Sequence, residues 1–405
     1  MTIFDKTRCE AKESGKRWRR ESGQSIRSLF ILGVVLVHLV SGTAFAARSR
    51  REPIPVPGPG TTAWITINAT TGEVLAGQEP DRPGAPASMT KMMLALLVME
   101  AVKDGQLRLS DTVQASRLAS EMGGSQVYLK EGETFSVEEM MAALLIGSAN
   151  DAAVALAERL AGSVSGGVRR MNDRGAALKL AATRFASVHG LPPGSGQDGD
   201  VATPRDMARL SQELVKFPDI LRWTSTLEAP FRNGSFILRN SNHLIGLFPG
   251  ADGLKTGHFR EAGYNLAATA SRGNLRLITV VMGAPSNKDR FAEAARLLEE
   301  GFSRYVEVTV AKAGIPLQGE IRLPRASAAF HPVTTSDLKA LVLREQKDAI
   351  RTNVDVQAGL RAPLGKGQQV GTLVVRMPDR EIARVPVVTP ADVPRAFFWW
   401  LTPWR

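Results

Sequence analysis

The periodicity of apolar residues changes character at Tyr305, and that change constrains the fold more than any other feature of the chain. Before it, helix and strand signals mix. Residues 63–68 alternate among β-formers, Thr70-Thr71-Gly72-Glu73 turns the chain, and Val74-Leu75 returns it, which predicts a hairpin. An apolar run over 89–102, stopped just beyond by Asp104-Gly105, predicts a helix. Ser136 followed by Glu139 has the form of a capping box. Behind it Met140, Met141, Leu144 and Leu145 have helical spacing. That helix pauses at Gly147, and another runs over 151–160. Thr203-Pro204-Arg205-Asp206 opens a further helix through Val215. Strands over 264–270 and 275–282, joined by Ser271-Arg272-Gly273-Asn274, lead into a long helix over 287–305. Helices in the middle, with strands at both ends free to pair, predict an α/β (α+β) domain over 61–305 with an antiparallel sheet and a helical cluster. After Tyr305 helix signals vanish. Strand-like runs at 306–310, 320–323, 339–343, 352–356, 371–376 and 384–388 predict a small all-β domain over 306–388. A length of 405 residues suits one large and one small domain.

Both ends carry processing or anchoring signals. Residues 29–40 are apolar but for Gly33 and His38, a basic stretch (Lys16, Arg17, Arg19, Arg20, Arg27) precedes them, and Ala44-Phe45-Ala46 follows. This reads as a secretory signal over 1–46, cut after Ala46. The run is shorter than the roughly 20 apolar residues a spanning helix needs. Residues 47–60, with Pro53, Pro55, Pro57 and Pro59, form an extended linker. The only cysteine, Cys9, lies in the segment to be removed, which excludes thiol catalysis, thiolate metal sites and disulfides in the processed chain. Net charge is +11, of which the leader contributes +4. Such a surface suits nucleic acid or an anionic envelope. Export and the lack of a basic stripe interleaved with aromatics favour the envelope and argue against nucleic acid. In the segment 389–405, Phe397, Phe398, Trp399, Trp400 and Trp404 with Arg395 and Arg405 suit the headgroup region of an anionic membrane. The alternative is a tail docked on its own β-domain.

Three short motifs carry chemistry. Ser88-Met89-Thr90-Lys91 opens the first apolar helix, and residues three apart share a helical face, so hydroxyl and amine can meet. Serine needs a neighbour to take its proton, and a desolvated lysine beside another cation can do so. Alone the motif is weak, since Ser336-Asp337-Leu338-Lys339 also matches by chance. Ser148-Ala149-Asn150 falls at a break between helices, where it can face a cleft or merely cap the next helix. Lys255-Thr256-Gly257 precedes the strand at 264, and a lysine beside a hydroxyl suits a carboxylate. No His-x-x-His or His-Glu-x-x-His spacing occurs, so no metal is expected, and no cofactor. No Gly-x-Ser-x-Gly elbow exists either.

In this order the motifs make the chain resemble the penicillin-recognising serine acyl-transferases. Within that family it is similar to the low-molecular-mass penicillin-binding proteins that are D-alanyl-D-alanine carboxypeptidases. Pro86 to Lys91 resembles the nucleophile segment, and Asn150-Asp151-Ala152 and Lys255-Thr256-Gly257-His258 resemble the second and third motifs. Glu261 to Leu266 continues the third. Leu360 to Leu364 with Val370-Gly371-Thr372 resembles the family's small β-domain. The resemblance implies a penicillin-binding, β-lactamase-like transpeptidase fold and removal of the terminal D-alanine from peptidoglycan pentapeptides. It also implies covalent inhibition by β-lactams and a periplasmic place on the outer face of the cytoplasmic membrane. It makes Ser88 the nucleophile, Lys91 its base, Ser148 the proton donor to the leaving amine and Asn150 a ligand of the acyl side. Lys255, Thr256 and Arg290 would hold the carboxylate, and the N–H groups of Ser88 and His258 would form an oxyanion hole beside Gly257. His189, in Val188-His189-Gly190-Leu191, resembles a structural feature of the family. Two rivals are a β-lactamase, against which no Glu-x-x-Leu-Asn segment lies between Asn150 and Lys255, and a non-catalytic wall-binding scaffold, against which all three motifs are intact.

Overall fold

The computed structural model describes residues 62–378 and 380–397. The expected signal over 1–46, the expected linker over 47–60 and positions 398–405 of the expected anchor lie outside the described residues. Strands β1 (Ala63–Asn68), β2 (Val74–Gln78), β3 (Ala251–Phe259), β4 (Gly263–Arg272) and β5 (Leu275–Ala284) form one antiparallel sheet in the order β2-β1-β5-β4-β3. The first hairpin pairs with the last, with Ile65 opposite Val280 and Ile67 opposite Ile278. Between them run helices α1 (Lys91–Lys103), α2 (Val137–Leu145), α3 (Asn150–Ala161), α4 (Val164–Ala177) and α5 (Pro204–Leu214), and α6 (Asn287–Arg304) follows β5.

Apolar patterning places the layers. α1 is apolar on every side, with Met92, Met93, Leu94, Ala95 and Leu96 fully buried, so it sits in the middle of the helical cluster. Ile65, Ile67, Ile278 and Val280 on one face of the sheet share a core with Met89, Met92, Met140 and Leu144. On the other face Leu266, Leu277 and Val281 meet Phe291, Leu298 and Phe302 of α6. Local signals agree with this frame: Ser136 and Glu139 close the capping box of α2, and the Thr203 side chain caps α5 by accepting from the Asp206 N–H.

Among the elements that the sequence does not signal are a long strand and a long helix. β3 contains Lys255-Thr256-Gly257, which was expected to precede a strand; Gly253, Gly257 and Lys255 mute its β signal, and its register with β4 makes it a strand. α4 carries Gly166, Gly167 and Gly175, which blur helical periodicity.

Beyond α6, β6 (Tyr305–Ala311) pairs with β8 (Leu338–Leu343). β7 (Val333–Thr334), β9 (Arg351–Val356), β10 (Gln369–Arg376) and β11 (Glu381–Val388) form a second sheet in the order β7-β11-β10-β9. Val370, Leu373, Val375 and Val387 fill the core between them. The strand expected over 320–323 shrinks to one bridge, Ile321 with Phe330, because Pro324 cannot extend a ladder. In the second Ser-x-x-Lys match, Lys339 pairs with Glu307 at 3.0 Å, far in sequence from either other motif.

Candidate active site

Ser88 lies in a tight turn over Ala87–Thr90 that runs straight into α1. Ala87 has φ 51, a left-handed conformation that costs a residue with a side chain about 1–3 kcal/mol and clusters at functional sites. Lys91 is the first residue of α1 and is fully buried. Its Nζ lies 3.0 Å from Ser88 Oγ and donates to the His189 carbonyl at 2.6 Å. Burial, and then the nearby charge of Lys255, hold the Lys91 ammonium well below the usual lysine range.

The His189 carbonyl is held in place by a buried carboxylate. Asp200 accepts from the N–H groups of Ala186 and Ser187, from Ser187 Oγ at 2.8 Å, and from Thr90 Oγ1 at 2.9 Å. Ser187 Oγ in turn accepts from Gly190 N at 2.8 Å. Burial raises the Asp200 carboxyl, opposed by those hydrogen bonds. Gly190 has φ 80, and a Cβ there would lie 2.0 Å from the Ala87 carbonyl oxygen, so only glycine allows this segment to lie on the Ser88 turn. His189 Nδ1 accepts from Leu191 N at 3.1 Å; burial, then Lys91, push its imidazole down to about 4.

Ser148 and Asn150 sit at the break between α2 and α3. Neither side chain caps α3, whose N-cap is Ala149. Ser148 has φ 57 and is 8% exposed. Asn150 Nδ2 donates to the Gly123 carbonyl at 2.7 Å, while its Oδ1 is buried without a partner. Asp151 accepts from the N–H groups of Val127 and Leu129, which fixes the loop around Gly123.

β3 is the sheet's edge strand and passes the Ser88 turn closely. A Cβ on Gly257 would lie 2.4 Å from the Pro86 carbonyl oxygen. Lys255 is buried, its Nζ donates to the Thr256 carbonyl at 3.0 Å, and burial with the charge of Arg290 pushes its ammonium down to about 7. Thr256 Oγ1 lies 2.5 Å from Ser241 Oγ. His258 stacks on Tyr264 with ring centroids 3.8 Å apart, and its Nδ1 is 3.0 Å from the Gly263 carbonyl. Arg290 is buried, and its Nη1 donates to the carbonyls of Gly257 at 3.3 Å and Asn265 at 3.2 Å. Asn265 Nδ2 donates to the Ala85 carbonyl at 2.8 Å, which ties β4 to the segment leading into Ser88.

Thus Ser88 and Lys91 are in direct contact, Gly257 abuts their turn, and the charge of Lys255 reaches Lys91. Arg290 joins this cluster through backbone carbonyls. Asp200 and Ser241 belong to no sequence motif, Asn265 lies in the run 261–266 that continues the third motif without a role of its own, and His189 resembles a structural feature only. The contribution of His189 is a main-chain oxygen, which no residue pattern displays. Asp200 sits in a Gly- and Asp-rich stretch that reads as solvated loop. Among the described residues no group of three or more His, Cys, Asp or Glu side chains is placed to hold a metal ion.

This fold, with a serine and a buried lysine at the head of a central helix, is that of a penicillin-binding serine hydrolase. Residues 56–286 match the family described as D-alanyl-D-alanine carboxypeptidase, and residues 327–395 match the family described as penicillin-binding protein 5, C-terminal domain. D-alanyl-D-alanine carboxypeptidase DacF of Bacillus subtilis is 34% identical over 376 residues, 92% of this chain and 95% of that one. DacA of Escherichia coli is 33% identical over 351 residues, covering 85% and 86%. The crystal structure of penicillin binding protein 5 from Haemophilus influenzae superposes with a TM-score of 0.70 at 29% identity, over 84% of this chain and all of that one. The chain belongs to the D-alanyl-D-alanine carboxypeptidase family and is a hydrolase of cell-wall biosynthesis.

Proposed function

We propose that the chain removes the terminal D-alanine from peptidoglycan pentapeptides through an acyl intermediate on Ser88. The observation that carries this is the buried Lys91 amine 3.0 Å from Ser88 Oγ. A neutral amine can give one hydrogen to the His189 carbonyl and turn its lone pair to the serine, which is what a general base requires. Ser88 Oγ bonds to the carbonyl between the two D-alanines as Lys91 takes its proton. The tetrahedral oxygen is held by the N–H groups of Ser88 and His258, an effect of about 3–4 kcal/mol for one donor in other serine hydrolases. The C–N bond then breaks, Ser148 passes a proton to the leaving amine, and water later cleaves the ester. Asn150 holds the acyl side; its buried, unpartnered Oδ1 is an acceptor in want of a donor. Lys255, Thr256 and the close-packed Gly257 form the corner for the terminal carboxylate, and Arg290 backs that corner through the Gly257 carbonyl. β-Lactams acylate the same serine.

The exported, periplasmic setting rests on the signal-like segment at 1–46, and membrane-surface attachment on the aromatic tail from 389. Among the described residues no helix is long and apolar enough to cross a membrane. Incubation with a monomeric pentapeptide tests the chemistry. D-Alanine release and Ser88 labelling by a tagged penicillin are expected, both abolished in Ser88→Ala. Unchanged release in that variant would sink the assignment.

A further inference from the structure

We propose that Arg290 is a positioning residue for the oxyanion, acting through the peptide group that joins Gly257 to His258. This rests on the assignment of the His258 N–H as an oxyanion donor. Arg290 Nη1 donates to the Gly257 carbonyl, and that oxygen belongs to the same planar unit as the His258 N–H. The unit is trans, so its two polar ends point in opposite directions. The carbonyl end faces the Arg290 guanidinium between β3 and β4, since the same Nη1 also reaches the Asn265 carbonyl on β4. The N–H end therefore faces the open edge of the sheet, because β3 is the outermost strand. A cationic donor on the carbonyl oxygen draws electron density from the nitrogen, strengthens the N–H as a donor and fixes the tilt of the plane.

The surroundings support this use of the side chain. The guanidinium lies over the rings of Phe291 at 4.7 Å and Tyr264 at 5.5 Å and is 6% exposed. Its Nε is buried with no partner, so burial of this cation is compensated incompletely, a cost that an ordinary structural arginine avoids. Burial lowers its pKa only to about 10, which leaves it charged at neutral pH. Backbone irregularity serves the contact too. The register between β4 and β5 slips between Tyr264 and Leu266, and there Asn265 offers its carbonyl to Arg290. Its side chain meanwhile spans from the Gly283 N–H to the Ala85 carbonyl. Gly257 is pressed on Pro86, so a shift of this peptide would be a shift of the oxyanion site relative to Ser88.

A carboxylate ligand and a peptide-polarising group differ in one measurable respect. The test uses the full chain and a neutral acyl-D-alanyl thioester, whose leaving group carries no carboxylate. Arg290→Gln is expected to slow acylation of Ser88 by this neutral donor about tenfold, a fraction of what losing a whole oxyanion donor costs. The infrared stretch of the acyl-enzyme carbonyl should move to higher frequency, because the carbonyl is less polarised. Arg290→Lys, which keeps the cation, should recover part of both. Should the Gln variant fail to fold, the Lys variant against the unaltered enzyme decides on the same two readings. Neutral-donor acylation at the unaltered rate, with loss confined to the free-acid peptide, would leave Arg290 a carboxylate ligand and overturn the proposal. Slower acylation with an unmoved carbonyl stretch would overturn it as well. No acylation of Ser88 in the unaltered enzyme would remove the assignment beneath it and the proposal together.

Discussion

Two lysines buried within one electrostatic neighbourhood cannot both keep their protons at neutral pH at low cost. Burial, then the charge of Lys255, holds Lys91 well below the usual lysine range; burial, then Arg290, pushes Lys255 down to about 7. The sign follows from the charge each needs. In the proposed mechanism Lys91 works without its proton, and Lys255 works with it. As pH rises through about 7 the free enzyme loses the Lys255 charge, and with it attraction for the substrate carboxylate. A bound carboxylate favours the charged form and pushes that pKa back up. The alkaline limb of kcat/KM should therefore lie near 7, and that of kcat at higher pH. Lys255→Arg, whose guanidinium keeps its charge far above neutrality, should remove the alkaline limb of kcat/KM. A limb unmoved by this substitution would assign it to another group. Lys91→Ala should abolish penicillin labelling of Ser88, a loss of about 10³-fold or more for a residue acting as a unit with its nucleophile.

At the scale of elements, the site is assembled from pieces whose contacts lie far apart in sequence. Asp200 joins the segment at 186–190 to the nucleophile helix through Thr90. Asp200→Ala would strand several buried donors at about 1–3 kcal/mol each, and we expect a fall of at least 3 kcal/mol in unfolding free energy, read from the urea midpoint. Gly257→Ala acts differently. Its Cβ would meet the Pro86 carbonyl and push β3 off the Ser88 turn while leaving the core intact. Activity should fall about 10²-fold with the urea midpoint little changed, as a displacement near 1 Å does. Equal losses of stability and activity would count against a local displacement. Much of this scale was legible in sequence: the first hairpin, the capping box on Ser136 and Glu139, and the Thr203 cap are signals whose meaning lies within a few residues. That Ser88, Lys91 and Gly257 come together was legible as a motif order. β3 was not, because its stability comes from pairing with β4 rather than from its own glycine-bearing composition. Asp200 and Asn265 were not, because their partners lie 110 and 180 residues away.

At the scale of the whole molecule, the β-rich part is fastened directly to the end of α6. Arg344 donates to the carbonyls of Phe302 and Ser303, and Leu341 joins the core beneath α6. The part carrying the site is thereby held to the part that bears the tail. At the head of the aromatic segment Ala396 N donates to the Arg325 carbonyl, and Phe397 is 82% exposed. An exposed phenylalanine followed by three tryptophans loses little by entering a headgroup layer, and Arg405 adds attraction to anionic lipid. On the proposed membrane attachment, so short a segment would bind reversibly, and binding should depend on salt and on lipid charge. Removing 398–405 from the processed chain should move the protein from the membrane to the soluble fraction, with pentapeptide hydrolysis in solution unchanged. Vesicles with anionic lipid should bind the full chain more tightly than neutral ones, and the difference should shrink at high salt. Membrane association that persists after the deletion would assign attachment to an uncleaved leader, and association insensitive to lipid charge would remove the arginine from the account.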